Sequence, residues 1–589
     1  MNRKAMCKIF AVLTPVMGLV LALTDVALAE RPNVIVIMTD DQGVGDFGFA
    51  GNQLVDTPHL DALYKGGVHL EEFYVSPVCS PTRACLMTGR YNYRTRCIDT
   101  YLGRSMMEPQ EITVAEVLNA AGYRTGIFGK WHLGDNYPMR AIDQGFDEAL
   151  IHKGGGLAQP SEPRENGRRY TDAILFRNGK QVQTKGYCTD VYFDAAIDFV
   201  KTTTDNDDNF FVYIPTNAPH GPFHDVPQEL YDAYSQKDFS PIMVRKLKGA
   251  AQNSENDKLA RIFAMITNVD QNVGRLVQAL KDLGQLDNTI VIYLNDNGPN
   301  SARYVNQHRG SKSNVLEGGI RSPLIVHWPD QIKAGSSSAQ VGAHIDLLPT
   351  IAEACGVRLK KKHQVDGMSL LSALKDVGLK PETRTLVIQS HRGNQPALYH
   401  NFMIRKGDYK LVHPSGFGKE GFEGEPKFEL YDLVDDPGET KNLIEQESRI
   451  ASQLKALYED WFTDVSSTRK DNYAPPRIVL GSEHDPIGIL TRQDWRNGTW
   501  APNANGYWLV DVESSGTYDI KLVFDAAQED ETVKVEFGKA VLESHSVAGS
   551  ETTVIRRAQL VSGPQKVQAS LLTGSQSRGP YQLIVTKAK

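Results

Sequence analysis

Three stretches of the chain are apolar at every position: Val34-Ile35-Val36-Ile37-Met38, Phe210-Phe211-Val212-Tyr213-Ile214 and Ile290-Val291-Ile292-Tyr293-Leu294. A run with no polar face has no side to turn to water. Each therefore predicts a central strand of a parallel sheet, covered by helices on both faces. Between these runs the period becomes helical, over 114–121 and over 259–283, where Ile262, Ile266, Val269, Val273 and Leu276 share a face. Strands alternating with helices make an α/β plan, doubly wound. From about residue 380 the pattern differs. Residues 402–412 and 428–433 read as antiparallel strands. Ile450, Leu454, Leu457, Tyr458, Trp461 and Val465 form a helical stripe suited to dock on them. The polar segment 466–476 ends in Ala474-Pro475-Pro476, a linker signal. Beyond it the period is two: Tyr518, Ile520, Leu522 and Phe524 alternate with polar residues, as do Val533, Val535 and Phe537. That is the pattern of a β-sandwich. The expected units are an α/β domain over 30–379, an α+β subdomain with a small antiparallel sheet over 380–470, a linker at 471–476 and a sandwich over 477–589.

The first residues predict something other than a fold. Arg3, Lys4 and Lys8 precede an apolar run over 9–23, and Ala27-Leu28-Ala29 offers a small-residue cleavage site before Glu30. This is the pattern of a secretory signal peptide over 1–29, so the expectation is an exported protein, periplasmic or secreted. The run is short for a membrane span and is interrupted by Pro15 and Gly18. No later segment is long and apolar enough to span, so no membrane association is expected once the signal is removed. The net charge is -7 over 589 residues, which excludes the basic face of an ordinary nucleic-acid binder. Cys7 leaves with the signal, and Cys79, Cys85, Cys97, Cys188 and Cys355 remain. Five thiols in an exported chain of this size are not a disulfide framework, and the odd number suits one cysteine with a different fate.

In open parallel sheets ligands bind at the carboxyl ends of strands, so the residues that come directly after each apolar run are informative. After Met38 come Thr39-Asp40-Asp41-Gln42, and after Leu294 come Asn295-Asp296-Asn297-Gly298. Phe128 is followed by Gly129-Lys130-Trp131-His132, and Ile214 by a loop reaching His220. Asp40, Asp41, Asp296 and Asn297 are oxygen ligands, suited to calcium or magnesium rather than zinc. One Asp-Asp pair after a strand reads as a cap or a solvated turn; two such pairs closing two buried strands read as a metal site. Lys130, His132 and His220 carry little weight singly.

The segment Cys79-Ser80-Pro81-Thr82-Arg83-Ala84-Cys85-Leu86-Met87-Thr88-Gly89-Arg90 resembles the signature of the type I sulfatases, Cys-x-Pro-Ser/Thr-Arg followed by x-x-x-Leu/Met-Thr-Gly. The resemblance runs through 39–42, 129–134, 295–298, Lys312, 317–321 and 431–443. It implies an alkaline-phosphatase-like fold, a mixed sheet sandwiched by helices. It also implies that a dedicated maturation enzyme oxidises Cys79 to formylglycine, whose hydrate supplies the nucleophile. On the same grounds Asp40, Asp41, Asp296, Asn297 and residue 79 would hold calcium, with magnesium the alternative. Arg83 would steady the nucleophile, and Lys130 and Lys312 would grip sulfate oxygens. His132 would take a proton and His220 would protonate the leaving oxygen, two roles that can be exchanged. On the same resemblance Asp296 would be a second acceptor for the nucleophile's proton.

The substrate is less legible. The loop over 153–169, together with Arg303, His308 and His224, is a candidate to contact the alcohol, against the plain reading of solvated loop residues. Trp495, Trp500 and Trp508 in the sandwich suit either sugar stacking or a core, and the core is the commoner use. An exported sulfatase with such a module points to a sulfated glycan as partner. Two other readings stay open: a phosphate or phosphonate monoester hydrolase on the same fold, and a glycan-binding protein with a dead hydrolase domain.

Overall fold

The computed structural model describes residues 31–157, 159–301 and 303–588; the expected signal peptide lies outside them. A ten-stranded mixed sheet has at its centre, in spatial order, Leu324–His327, Thr289–Asn295, Asn33–Thr39, Phe210–Pro215, Arg124–Lys130 and Glu148–His152. The last five of these run parallel, and Leu324–His327 is antiparallel to its neighbour. All seven residues of Asn33–Thr39 are buried. Val34, Val36 and Met38 enter one apolar layer and Ile35 and Ile37 the other, so the uninterrupted apolar run is a strand covered on both faces.

Helix Val114–Asn119 starts at a capping box. Thr113 Oγ1 accepts from Glu116 N, and Glu116 accepts from Thr113 N. The helix expected over 259–283 is Ala250–Asp282, and its five stripe residues are buried. It begins nine residues early because its first turns are solvated and carry no apolar stripe.

A second sheet is antiparallel: Thr385–Gln389, Phe402–Lys406, Tyr409–His413 and Glu429–Asp432. Helix Ser448–Ser466 docks on it, with the Tyr458 ring stacked 3.7 Å from that of Phe402. The 402–412 stretch is a hairpin turning at Gly407, whose φ of 60° suits glycine. The C-terminal strands form a six-stranded and a four-stranded sheet around Trp508, Ile520, Leu522, Val533 and Val535. Trp495 and Trp508 are fully buried there, which removes both from any exposed sugar platform. The five cysteines among the described residues are buried and unpaired. No described helix is long and apolar enough to cross a membrane.

Candidate active site

The register of the parallel strands assembles the site. Thr39 lies opposite Asn295, and Met38 opposite Pro215. Asp40-Asp41, Asp296-Asn297 and the loop to His220 therefore leave three adjacent strands at one level, with Lys130 closing the fourth. Asp40, Asp41, Asp296 and Cys79 present ligand atoms all within 4.8 Å of one another, and all four residues are buried. Asp41 and His132 hold left-handed backbones, φ 64° and 59°, a costly conformation that functional turns commonly carry.

Cys79 opens helix Cys79–Thr88, of which every residue is buried. The helix explains its own sequence. Thr82 Oγ1 donates to the Asp296 carbonyl at 2.7 Å and accepts from Ser76 N at 3.0 Å. Arg83 donates to Asp296 Oδ2 at 2.8 Å and to the Lys130 carbonyl at 2.7 Å, tying two strand ends together. Gly89 stops the helix. Cys79 Sγ is 3.5 Å from both Asp40 Oδ1 and Lys312 Nζ. Burial, then the Asp40 charge, push its thiol up to about 12, so as a cysteine it is a poor nucleophile at neutral pH.

Lys130 pairs with Asp40, and Lys312 with Asp41. Burial opposes the charge of Asp40, but Lys130, His220, Arg83 and Lys312 overcome it and hold the carboxyl well below its usual range. Burial and the nearby Asp40 lift Asp296 to about 7 despite Arg83. Carboxylates this close push one another's titrations apart unless more positive charge joins them. Asp41 Oδ2 and Asn297 Oδ1 are buried without partners. An oxygen-rich set with orphaned acceptors fits a hard divalent cation.

Both histidines have one nitrogen tied to a backbone carbonyl. His132 Nε2 meets Thr100 O at 2.8 Å, and its buried Nδ1 has no partner. Burial, then Lys130 and Arg83, hold this imidazole well below its usual range. His220 Nδ1 meets Gly221 O at 2.6 Å, and its Nε2 lies 3.8 Å from Asp41 Oδ2. Burial lowers His220 too, against the charges of Asp40 and Asp41. The 153–169 loop closes over both rings: a Cβ on Gly155 would stand 2.5 Å from His132 Cε1, and one on Gly156 3.5 Å from His220.

The other specificity candidates have different surroundings. Arg303 is a correction: its guanidinium is buried, bonded to both oxygens of Asp46 and to the Asp41 carbonyl. It braces the turn behind Asp41 and does not face a ligand. His308 bonds the Pro437 carbonyl, with Glu317, Arg321 and Lys410 as its charged neighbours. His224 is exposed. Sequence reasoning missed the Thr100 carbonyl and Tyr170, whose hydroxyl bonds the His220 and Gly221 carbonyls. Backbone acceptors leave no trace in residue type.

A helix-covered parallel sheet that gathers three carboxylates and three cations at one edge defines a hydrolase of anionic esters. Residues 32–357 match the family model described as Sulfatase, and residues 310–462 the one described as N-sulphoglucosamine sulphohydrolase, C-terminal. The N-acetylglucosamine-6-O-sulfatase of Bacteroides thetaiotaomicron is 27% identical over 75% of this chain and 88% of its own. Arylsulfatase A of Homo sapiens is 30% identical over 72% of this chain and 86% of its own. The crystal structure of Ps i-CgsB in complex with k-i-k-neocarrahexaose is similar with a TM-score of 0.62 at 26% identity, covering 74% of this chain and 94% of that one. The chain belongs to the sulfatase family and is a sulfuric ester hydrolase.

Proposed function

We propose that this enzyme removes sulfate from a sulfated carbohydrate, with residue 79 acting after a maturation enzyme has oxidised it to formylglycine. The observation that carries the reading is the position of Cys79. A thiol pushed to about 12 sits at the head of a buried helix among three carboxylates, two lysines and Arg83, where a cysteine as such does little. As formylglycine, residue 79 would supply a hydrated aldehyde whose hydroxyl attacks sulfur. A calcium ion, with magnesium the alternative, would be held by Asp40, Asp41, Asp296 and Asn297 and would supply the concentrated positive field that a nucleophile needs to approach an anionic ester. Lys130 and Lys312 bind sulfate oxygens, and Arg83 holds Asp296 and the Lys130 carbonyl in place. His132 accepts a proton at its free Nδ1. His220, whose Nε2 lies 3.8 Å from Asp41 Oδ2, would pass a proton to the leaving oxygen.

Carbohydrate is the proposed substrate class because the relatives named above include an N-acetylglucosamine-6-O-sulfatase and a structure solved with a neocarrahexaose. The N-terminal pattern supports export. Mass spectrometry of the tryptic peptide 66–83, from a host that carries the maturation activity, tests the nucleophile. Loss of sulfur and gain of an aldehyde oxygen at residue 79 is expected. An intact thiol in protein that still turns over 6-sulfated N-acetylhexosamines would overturn the formylglycine reading. Faster turnover of the matching phosphate ester would overturn the sulfate preference.

A further inference from the structure

The sandwich, which lies beyond both family matches, the later of them ending at residue 462, reaches the reacting groups through one loop. Strand Ile487–Thr491 runs into Arg492, Gln493, Asp494, Trp495 and Arg496, all buried. Trp495 joins the apolar core of its own domain, while Gln493 and Arg496 lie against the loop 99–104 of the catalytic domain. Gly103 N donates to the Gln493 carbonyl at 3.0 Å, and Arg496 Nη1 reaches the Gly103 carbonyl at 3.4 Å. Leu102 and Met106 pack into the sandwich core itself, and Tyr101 meets Trp500 edge to face at 5.2 Å. The loop is thus clamped from the C-terminal side.

At its centre is the Thr100 carbonyl. One lone pair faces His132 Nε2 at 2.8 Å, and Gln493 Nε2 donates to the same oxygen at 3.2 Å. A carbonyl in front of Nε2 holds the proton there and leaves Nδ1 as the bare, buried acceptor. A second donor on that oxygen fixes its direction, and with it the plane of the ring. Gly155 packs against the same ring, close to Cε1 and Nε2. From the same loop, Asp494 Oδ2 accepts from Asn136 Nδ2 at 3.4 Å, and Asn136 accepts from Ile489 N at 3.2 Å. Asn136 neighbours Asp135, which binds Gly154 N at the head of the triple-glycine loop.

We infer that Gln493 is a positioning residue for His132, and that the C-terminal sandwich is an integral wall of the catalytic site rather than a detachable glycan-binding module. The inference rests on the role proposed for His132 as proton acceptor. A ring displaced by about 1 Å loses up to about 10²-fold in rate, so the effect belongs in kcat and not in sulfate binding.

The test compares the full-length parent with Gln493→Glu, which keeps shape but removes the donor, with Gln493→Met, and with Leu522→Ala. Leu522 is buried in the sandwich core on strand Gly516–Val523, which Gln582–Lys587 separates from Ile487–Thr491, so its truncation loosens the domain without removing a hydrogen bond to Thr100. Turnover of 6-sulfated N-acetylglucosamine and N-acetylgalactosamine is measured per mature residue 79, with Tm recorded for each protein. Both Gln493 variants are expected to lose roughly 10- to 100-fold in kcat with KM within about twofold, while Leu522→Ala loses Tm and keeps kcat. Gln493 variants with kcat near the parent's, or a loss that Leu522→Ala reproduces at equal Tm, would overturn the inference alone. A parent that turns over neither sugar would overturn the hydrolase reading and this inference with it.

Discussion

The central sheet and the C-terminal sandwich solve the same packing problem in opposite ways. In Asn33–Thr39 every residue is buried. In Gly516–Val523 the buried positions Tyr518, Ile520 and Leu522 alternate with more exposed ones. A strand covered on both faces has only its end at which to place polar groups, so chemistry collects there. A half-covered strand carries polar residues along its length, and none of them stands out. The sandwich's contribution to the site is accordingly one loop, Arg492 to Arg496, whose residues resemble any other turn. Its two histidines, His484 and His545, are exposed, whereas the catalytic domain buries several.

The contrast is broken or sharpened by perturbing each kind of position. Cys79→Ala is expected to abolish turnover, by on the order of 10⁴-fold, with little change in Tm, because it removes the nucleophile and only a small buried side chain. Assays at matched protein concentration check it, and residual activity within tenfold of the parent would place the nucleophile elsewhere. Arg303→Met leaves Asp46 buried without its cation, and breaking such a pair costs about 3–5 kcal/mol. Urea unfolding should show that loss, and a variant that keeps its stability but loses KM would return Arg303 to the substrate. Lys312→Met removes one charge from the sulfate-facing set. A fall in kcat of roughly 10²- to 10³-fold is expected, the cost of one fixed electrostatic contact to the transition state.

His344 gives, per pH unit, a smaller effect with a sign that can be worked out. Its Nδ1 accepts from Ile345 N and its Nε2 meets Ser76 Oγ at 3.0 Å. Burial, then Arg384, hold it at about 3. The unfolded chain takes up this proton near pH 6.5 and the folded chain does not until about 3. The stabilisation is therefore whole above pH 6.5 and is lost as the pH falls towards 3, at about 1.4 kcal/mol per pH unit. His344→Gln should remove one proton's worth of that slope in urea titrations between pH 4 and 7. An unchanged slope would mean that His344 titrates normally.

The same contrast explains what was legible beforehand. Asp40, Asp41, Asp296, Asn297 and Lys130 come after apolar runs, and parallel register brings them to one level, so sequence alone located them together. Lys312 and Cys79 came through motif resemblance, since neither ends a strand. Arg303 was misread because a guanidinium in a loop looks the same in sequence whether it faces a ligand or a buried carboxylate. Asp46, which decides the matter, is 257 positions away. Gln493 was invisible for a related reason: its partner is a carbonyl, and every residue has one.

The burial of helix Cys79–Thr88 sets an order of events. Cys79 is 2% exposed, and its motif neighbours Ser80, Thr82 and Arg83 are fully enclosed. An enzyme that must grip this segment to alter its thiol finds nothing to hold once the helix has docked. With residue 79 matured as proposed, its oxidation would race against folding, and a chain that closed first would be trapped as a well-packed protein that had missed its chance to become active. The fraction of working molecules in any preparation would then be a record of timing during biogenesis, separate from how stable the finished fold is.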